Sequence, residues 1–193
     1  MTAGLATCAA LVLAAGRATR FGSDKRVAAL PSGQTLLAET LRQALEHFDE
    51  VLVVVRPGDE PQRLGIGPDA KLVYAAHAES GLSASLAAGI QALQASRAQA
   101  VAIMLGDMPW VTAHTLRRLR AEASETHIVM PFHQDERGHP VLFGRAFWPA
   151  LECVQGDQGG RQVILDNRHA WRRVDVEDSG VLRDVDTPTD LLG

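Results

Sequence analysis

Five short apolar runs, rich in β-branched residues, limit what this chain can form. They are AALVLAA (Ala9 to Ala15), VLVVV (Val51 to Val55), KLVYA (Lys71 to Ala75), AVAIML (Ala100 to Leu105) and HIVMP (His127 to Pro131). Their apolar character is continuous rather than alternating, which predicts strands covered on both faces, as in a parallel sheet. Helix-period stretches lie between them. Thr35 to Phe48 places Leu37, Leu41, Leu45 and Phe48 on one face. Ser83 to Ser96 places Leu86, Ile90 and Leu93 on one face, with Ser83 as N-cap, and Thr112 to Ala123 repeats the pattern with Thr112 as cap. Strands alternating with helices predict βαβ units and a doubly wound, mostly parallel α/β fold.

After Pro131 the rhythm loosens. HQDERGHP is polar and turn-rich, VLF is a short strand, RAFWPALECV a short helix interrupted by Pro149, and GGRQVILDNR another helix. This stretch reads as a small C-terminal appendage on the far end of the sheet. With 193 residues, no low-complexity linker and no repeat, residues 1–193 are expected to form one domain.

Ligands of open α/β sheets sit beyond the carboxyl ends of the strands. The first run ends in LAAGRATRFGSDK, Leu13 to Lys25, a glycine-containing basic loop. It is not a Walker loop, because Gly16 and Gly22 enclose five residues and Lys25 lies three beyond Gly22; G-x-G-x-x-G is absent too. Glycines let backbone amides approach phosphate oxygens, and Arg17, Arg20 and Lys25 can offset the charge of a triphosphate. The plain alternative is a solvated turn. The Ala100 to Leu105 run ends in GDMPW. An Asp before a helix is commonly a cap, but Thr112 is the better cap, which leaves Asp107 for a hard cation such as Mg²⁺. Facing each other across one cleft, the two strand ends suit nucleotidyl transfer, with no protein nucleophile needed when the acceptor already carries a phosphate oxygen.

Charge narrows the partners. The net charge of −4 leaves no basic excess for nonspecific nucleic-acid binding, yet permits one nucleotide in a local cationic pocket. The two cysteines form neither a metal pattern nor a disulfide framework, and Cys8 reads as a small buried residue. The N-terminal stretch has no basic leader region, its apolar run breaks at Gly16-Arg17, and no run approaches a membrane span; a cytoplasmic protein is expected.

The segment LAAGRATRFGSDK resembles the L-x-A-G-x-x-x-R-x-G-x-x-K signature of nucleotidyltransferases of the molybdenum-cofactor type, within the MobA-like NTP transferase superfamily. LGDMPWV resembles the L-G-D-M-P segment of the same group. GLSASLAAGI (Gly81 to Ile90), RGHPVLF (Arg137 to Phe143), GDQGGR (Gly156 to Arg161) and DVDTPTDL (Asp184 to Leu191) follow in the matching order, so the likeness spans essentially the whole chain. The later segments are similar to the molybdenum cofactor cytidylyltransferase family, which joins CTP to molybdopterin and releases pyrophosphate.

That resemblance implies a Rossmann-like nucleotidyltransferase fold, with 1–130 as the nucleotide-binding part and 131–193 as the acceptor-side part. It implies that Leu13, Ala14, Ala15 and Gly16 line the nucleotide site, with loop amides through Gly22 on the phosphates. Arg20 and Lys25 would contact phosphates, Asp107 would bind the metal, and Asp186 would be a second ligand, unless the DTP segment only caps the last helix. Gly81, Ser83 and Ser85 would lie near base or ribose, with Ser83 equally placed as a helix cap. His139, Asp157 and Arg161 would meet the pterin; their plain readings are a structural histidine and a turn leading into a helix. Trp110, Trp148 and Trp171 read as packing residues. Arg26 and Val27 depart from the apolar residues expected after the lysine, and Arg26 is expected to add a charge near the mouth. The guanylyl branch tends to A-G-G where this chain has Ala14-Ala15-Gly16, which points to CTP. The implied partners are a nucleoside triphosphate, molybdopterin and a client molybdenum hydroxylase, with no nucleic acid and no membrane. The alternatives are GTP or another triphosphate with another phosphorylated acceptor, or a non-catalytic molybdenum-cofactor carrier.

Overall fold

The structure is a computed structural model that describes residues 6–16 and 21–192. Among the described residues, eight strands form one sheet: β1 Cys8–Leu13, β2 Glu50–Val55, β3 Lys71–Tyr74, β4 Ala100–Leu105, β5 Ile128–His133, β6 Glu136–Arg137, β7 Val141–Gly144 and β8 Trp171–Asp175. The order is β3-β2-β1-β4-β7-β5-β6, with β8 also paired to β5. Strands β1 to β4 are mutually parallel, β8 runs parallel to β5, and β7 is antiparallel to both β4 and β5. This is the mostly parallel, helix-flanked, Rossmann-like α/β fold that the sequence predicts.

The unbroken apolar runs are explained by two cores, one on each face. Ala10 and Val12 of β1 face one core, together with Leu37 and Leu41 of α1 (Leu36–His47) and Leu116 and Leu119 of α3 (Ala113–Ala121). Ala9, Leu11 and Leu13 face the other, which holds Leu86 and Ile90 of α2 (Leu82–Ala92), Trp148 of α4 (Trp148–Glu152) and Ile164 of α5 (Arg161–Asp166). Gly89 lets α2 sit directly on Leu11, since a Cβ there would collide with the Leu11 side chain. Cys8 is wholly buried, and burial pushes its thiol up to about 12, as suits a core residue.

Several expectations need correction. Leu45 is exposed, because the buried face of α1 turns through Ala44 and His47 instead. Strand β3 is not covered on both faces: it pairs only with β2 at the sheet edge, and Leu72 and Tyr74 are exposed. Pro149 does not interrupt α4 but sits in its first turn, where a missing N–H costs nothing. Thr112 does cap α3, accepting from the Thr115 amide. The region after Pro131 builds the far end of the sheet, but β7 is also threaded between β4 and β5, and β8 was not foreseen. Among the described residues, no helix is long and apolar enough to cross a membrane.

Candidate active site

The register of β1 against β4 pairs Leu13 with Leu105, so the two strands end level. The Gly106 amide then donates to the Leu13 carbonyl at 3.0 Å, and the Ala14 amide to the Val54 carbonyl at 2.8 Å. The segment leaving β1 is thereby fixed beside Gly106 and Asp107. Lys25 opens a short 3₁₀ turn, Lys25–Val27, capped by Asp24. Its Nζ lies 2.8 Å from Asp107 Oδ2, 2.7 Å from the Val185 carbonyl and 3.5 Å from Asp186 Oδ1. The Val185 amide donates to the Asp107 carbonyl at 3.0 Å. The segment after β4 and the C-terminal segment therefore meet at the Lys25 ammonium.

Asp107 Oδ1 is buried and has no hydrogen-bond partner among the described residues. A buried carboxylate oxygen without a donor is costly unless a ligand satisfies it. Asp107 and Asp186 offer the hard oxygen donors a divalent cation needs. No group of three or more His, Cys, Asp or Glu among the described residues makes a complete metal cage. A cation here would complete its shell from substrate oxygens and water, as Mg²⁺ usually does. The donor set fits the ion. Beside Asp186, the Asp190 carboxylate accepts from the amides of Asp186 and Thr187.

Three adjoining cavities open at this edge. One of about 420 Å³ is lined by Leu13, Ala15, Gly16, Gly81, Ser85 and Asp107, among others. A second, about 230 Å³, is lined by Ala14, Lys25 and Arg26 with Gly16 and Asp107. A third, about 300 Å³, holds Arg137, His139, Asp157 and Arg161 over apolar walls that include Ile103 and Phe143. Asp157 borders both the first and the third. Ser83 does not line the first cavity, nor does it cap α2. The cap is Gly81, at φ +107°, and the Ser83 amide donates to the Gly156 carbonyl at 3.1 Å while its Oγ is buried without a partner. Gly22 turns the chain at φ +78° and lines none of these three cavities. Arg17 and Arg20 lie outside the described residues.

His139 is partly buried. Burial first, then the nearby Arg137 charge, hold its imidazole below the ordinary 6.5, against an opposing pull from Asp107. Its backbone amide donates to Val181, and its Nδ1 has no partner. Burial and the facing Arg161 likewise lower Arg137. The three tryptophans pack: Trp148 is buried and donates to the Phe143 carbonyl, Trp171 donates to the Ile164 carbonyl, and Trp110 lies under the Arg183 guanidinium.

Arg26 corrects the sequence reading most sharply. It borders the cavity but is not a free charge at the mouth: it is 5% exposed and paired with Asp24 and Asp59. Asp24 two residues before it was a readable signal, whereas Asp59 is 33 residues away and was not. Arg137 and Val185 were also missed as parts of the site.

Residues 10–172 match the MobA-like NTP transferase domain family. The chain is 30% identical over 188 residues to the purine catabolism protein PucB of Bacillus subtilis, covering 91% of this chain and 90% of that protein. It is 25% identical over 188 residues to a probable molybdenum cofactor guanylyltransferase of Methanosarcina acetivorans, covering 92% and 80%. The crystal structure of Rv0371c from Mycobacterium tuberculosis aligns with a TM-score of 0.85 at 32% identity, over 100% of this chain and 99% of that one. A crystal structure of Rv0371c in complex with manganese aligns with a TM-score of 0.75 at 27% identity, over 89% and 88%.

Proposed function

The chain belongs to the MobA-like NTP transferase family, and from that premise we propose that this nucleotidyltransferase moves the cytidylyl group of CTP onto the terminal phosphate of molybdopterin, with release of pyrophosphate. The observation that carries the reading is the Lys25–Asp107 pair, in which the lysine of the turn after the β1 loop meets the aspartate just past β4, with one Asp107 oxygen unsatisfied.

A phosphate oxygen of the acceptor attacks the α-phosphorus of CTP. The bond from that phosphorus to the bridging oxygen breaks, and pyrophosphate leaves with the electron pair. The attacking oxygen is already ionised at neutral pH, so no protein base is required. Lys25, with Arg20, offsets negative charge on the phosphates, and the loop amides through Gly22 cradle the leaving group. Asp107, with Asp186, would hold Mg²⁺, which supplies further charge stabilisation at the phosphates when bound. The manganese complex of a structural relative supports a divalent cation in this family.

The 420 Å³ cavity takes the nucleoside, with Ala15, Gly81 and Ser85 on its walls. Ala15 is the basis for CTP: its methyl narrows a wall that a glycine would leave open. Relatives named molybdenum cofactor guanylyltransferase favour a second reading, GTP as donor. The cavity holding His139, Asp157 and Arg161 takes the acceptor, its apolar walls suited to a flat ring and its arginines to an anion. The product would pass to a molybdenum hydroxylase.

The test is pyrophosphate release with Mg²⁺ and molybdenum-loaded molybdopterin, with CTP, GTP, ATP and UTP offered separately. Release with CTP alone is expected. Release with GTP alone keeps the mechanism and transfers the base assignment to the second reading. No release with any triphosphate removes the acceptor.

A further inference from the structure

We propose that Arg26 is a positioning residue for nucleotidyl transfer, whose guanidinium clamps both ends of the glycine-and-arginine loop and so sets Lys25 against Asp107. The inference rests on the reading of that loop as the phosphate cradle.

A guanidinium has five N–H donors, and all five of Arg26 are used. Nε donates to Asp24 Oδ1 at 2.8 Å and Nη2 to Asp24 Oδ2 at 2.6 Å. Nη1 donates to Asp59 Oδ2 at 2.6 Å and Nη2 to Asp59 Oδ1 at 2.8 Å. The fifth, from Nη1, reaches the Ala14 carbonyl at 3.0 Å. Two forked carboxylate contacts and a carbonyl fix the group in direction as well as place. Arg56 closes the cluster electrically, 3.2 Å from Asp24 and 3.6 Å from Asp59.

What the cluster joins gives it a role. Ala14 is where the chain leaves β1 for the loop, and Asp24 is where it returns. One side chain binds both, so the loop is closed at its base whatever its tip holds. Asp59 belongs to the turn after β2, which anchors the clamp to a neighbouring part of the sheet edge. Asp24 Oδ1 also accepts from the Arg26 amide at 3.2 Å, capping the turn that begins with Lys25. Lys25 is thus bonded to both clamped residues in sequence, and its ammonium is delivered to Asp107 from a fixed base. Burying an arginine with two carboxylates contributes little to stability compared with apolar packing, whereas such a network fixes one geometry well. Arg26 itself lies at the wall of the cavity that Lys25 and Asp107 share.

The experiment measures pyrophosphate binding by calorimetry with Mg²⁺, and steady-state constants for CTP and acceptor, in Arg26→Lys and Asp59→Asn. Lysine keeps the charge but cannot make five fixed bonds. In Arg26→Lys the pyrophosphate Kd and the KM for CTP are expected to rise about tenfold to a hundredfold, since small displacements of positioning groups have effects of that size. The acceptor KM should stay unchanged. Asp59→Asn, which removes a charge and keeps the shape, should move the same two constants in the same direction by a smaller factor. If Arg26→Lys fails to fold, Asp59→Asn decides. A purely structural role would lower the melting temperature and the active fraction while leaving both constants at wild-type values, and that result overturns the proposal. Failure of the wild-type protein to bind pyrophosphate would instead overturn the cradle reading, and the clamp with it.

Discussion

Lys25 Nζ lies 2.8 Å from Asp107 Oδ2, although 82 residues separate them in the chain. Parallel pairing of β1 with β4 brings them together, and the Val185 carbonyl holds the ammonium from a third direction at 2.7 Å. The contact places a cation and a metal-capable carboxylate at the mouth of the same cleft. The proposed triphosphate site rests on this contact and uses neither Walker nor dinucleotide geometry.

Lys25→Ala separates the chemical role of this contact from its structural one. If Lys25 offsets phosphate charge as proposed, its removal is expected to lower kcat by about 10²–10³-fold, roughly 3–4 kcal/mol. The pair is mostly buried, with side chains 15% and 23% accessible, so the lysine's loss leaves the Asp107 carboxylate without its partner and should also cost about 1–3 kcal/mol of stability. Pyrophosphate release and a urea melt measure the two. A rate within about threefold of wild type would remove Lys25 from the site.

His139 gives the fold a signature in pH. Its folded pKa is depressed, so the unfolded chain binds a proton that the folded chain resists. The sign follows: the stability is fully present above the ordinary value of 6.5 and is lost as pH falls from there toward the depressed folded value. The slope is at most about 1.4 kcal/mol per pH unit for one proton. Melting curves from pH 7.5 downward should therefore fall more steeply for wild type than for His139→Asn. Parallel curves would show that the histidine is not held neutral.

Gly81 tests the contact between the nucleotide and acceptor cavities. It sits at φ +107°, and a Cβ there would strike the Asp157 carboxylate and lie 2.9 Å from the Gly156 carbonyl. Gly81→Ala is expected to cost about 1–3 kcal/mol through backbone strain. It should also displace the loop bearing Asp157 and Arg161 and raise the acceptor KM. An unchanged melting temperature together with an unchanged acceptor KM would contradict this packing.

Much of this arrangement was legible in the sequence because it is local. Strands β1, β2 and β4 announce themselves as unbroken apolar runs, Thr112 caps the helix it precedes, Asp107 stands just past β4, and Lys25 closes the basic loop that follows β1. What escaped depends on distant partners. Strand β7 is only four residues long, and nothing in VLFG reveals that it inserts antiparallel between β4 and β5. Strand β8, WRRVD, is mostly polar and lies beside β5 at the margin, so it lacks the apolar continuity that marks a central strand. Ser83 has the chemistry of a cap but lies two residues beyond the cap position, which Gly81 takes at positive φ. Arg26 looked like a surface charge until Asp59 arrived from the turn after β2.

The most direct test compares wild type with Asp107→Ala in Mg²⁺-dependent pyrophosphate release from CTP, with molybdenum-loaded molybdopterin as acceptor and circular dichroism as the check on folding. Asp107 joins Lys25 to the proposed metal, so the variant should stay folded, lose turnover and lose its response to added Mg²⁺. A folded Asp107→Ala protein that releases pyrophosphate at near wild-type rate, with the same Mg²⁺ dependence, would contradict the assignment of this strand end as the catalytic centre.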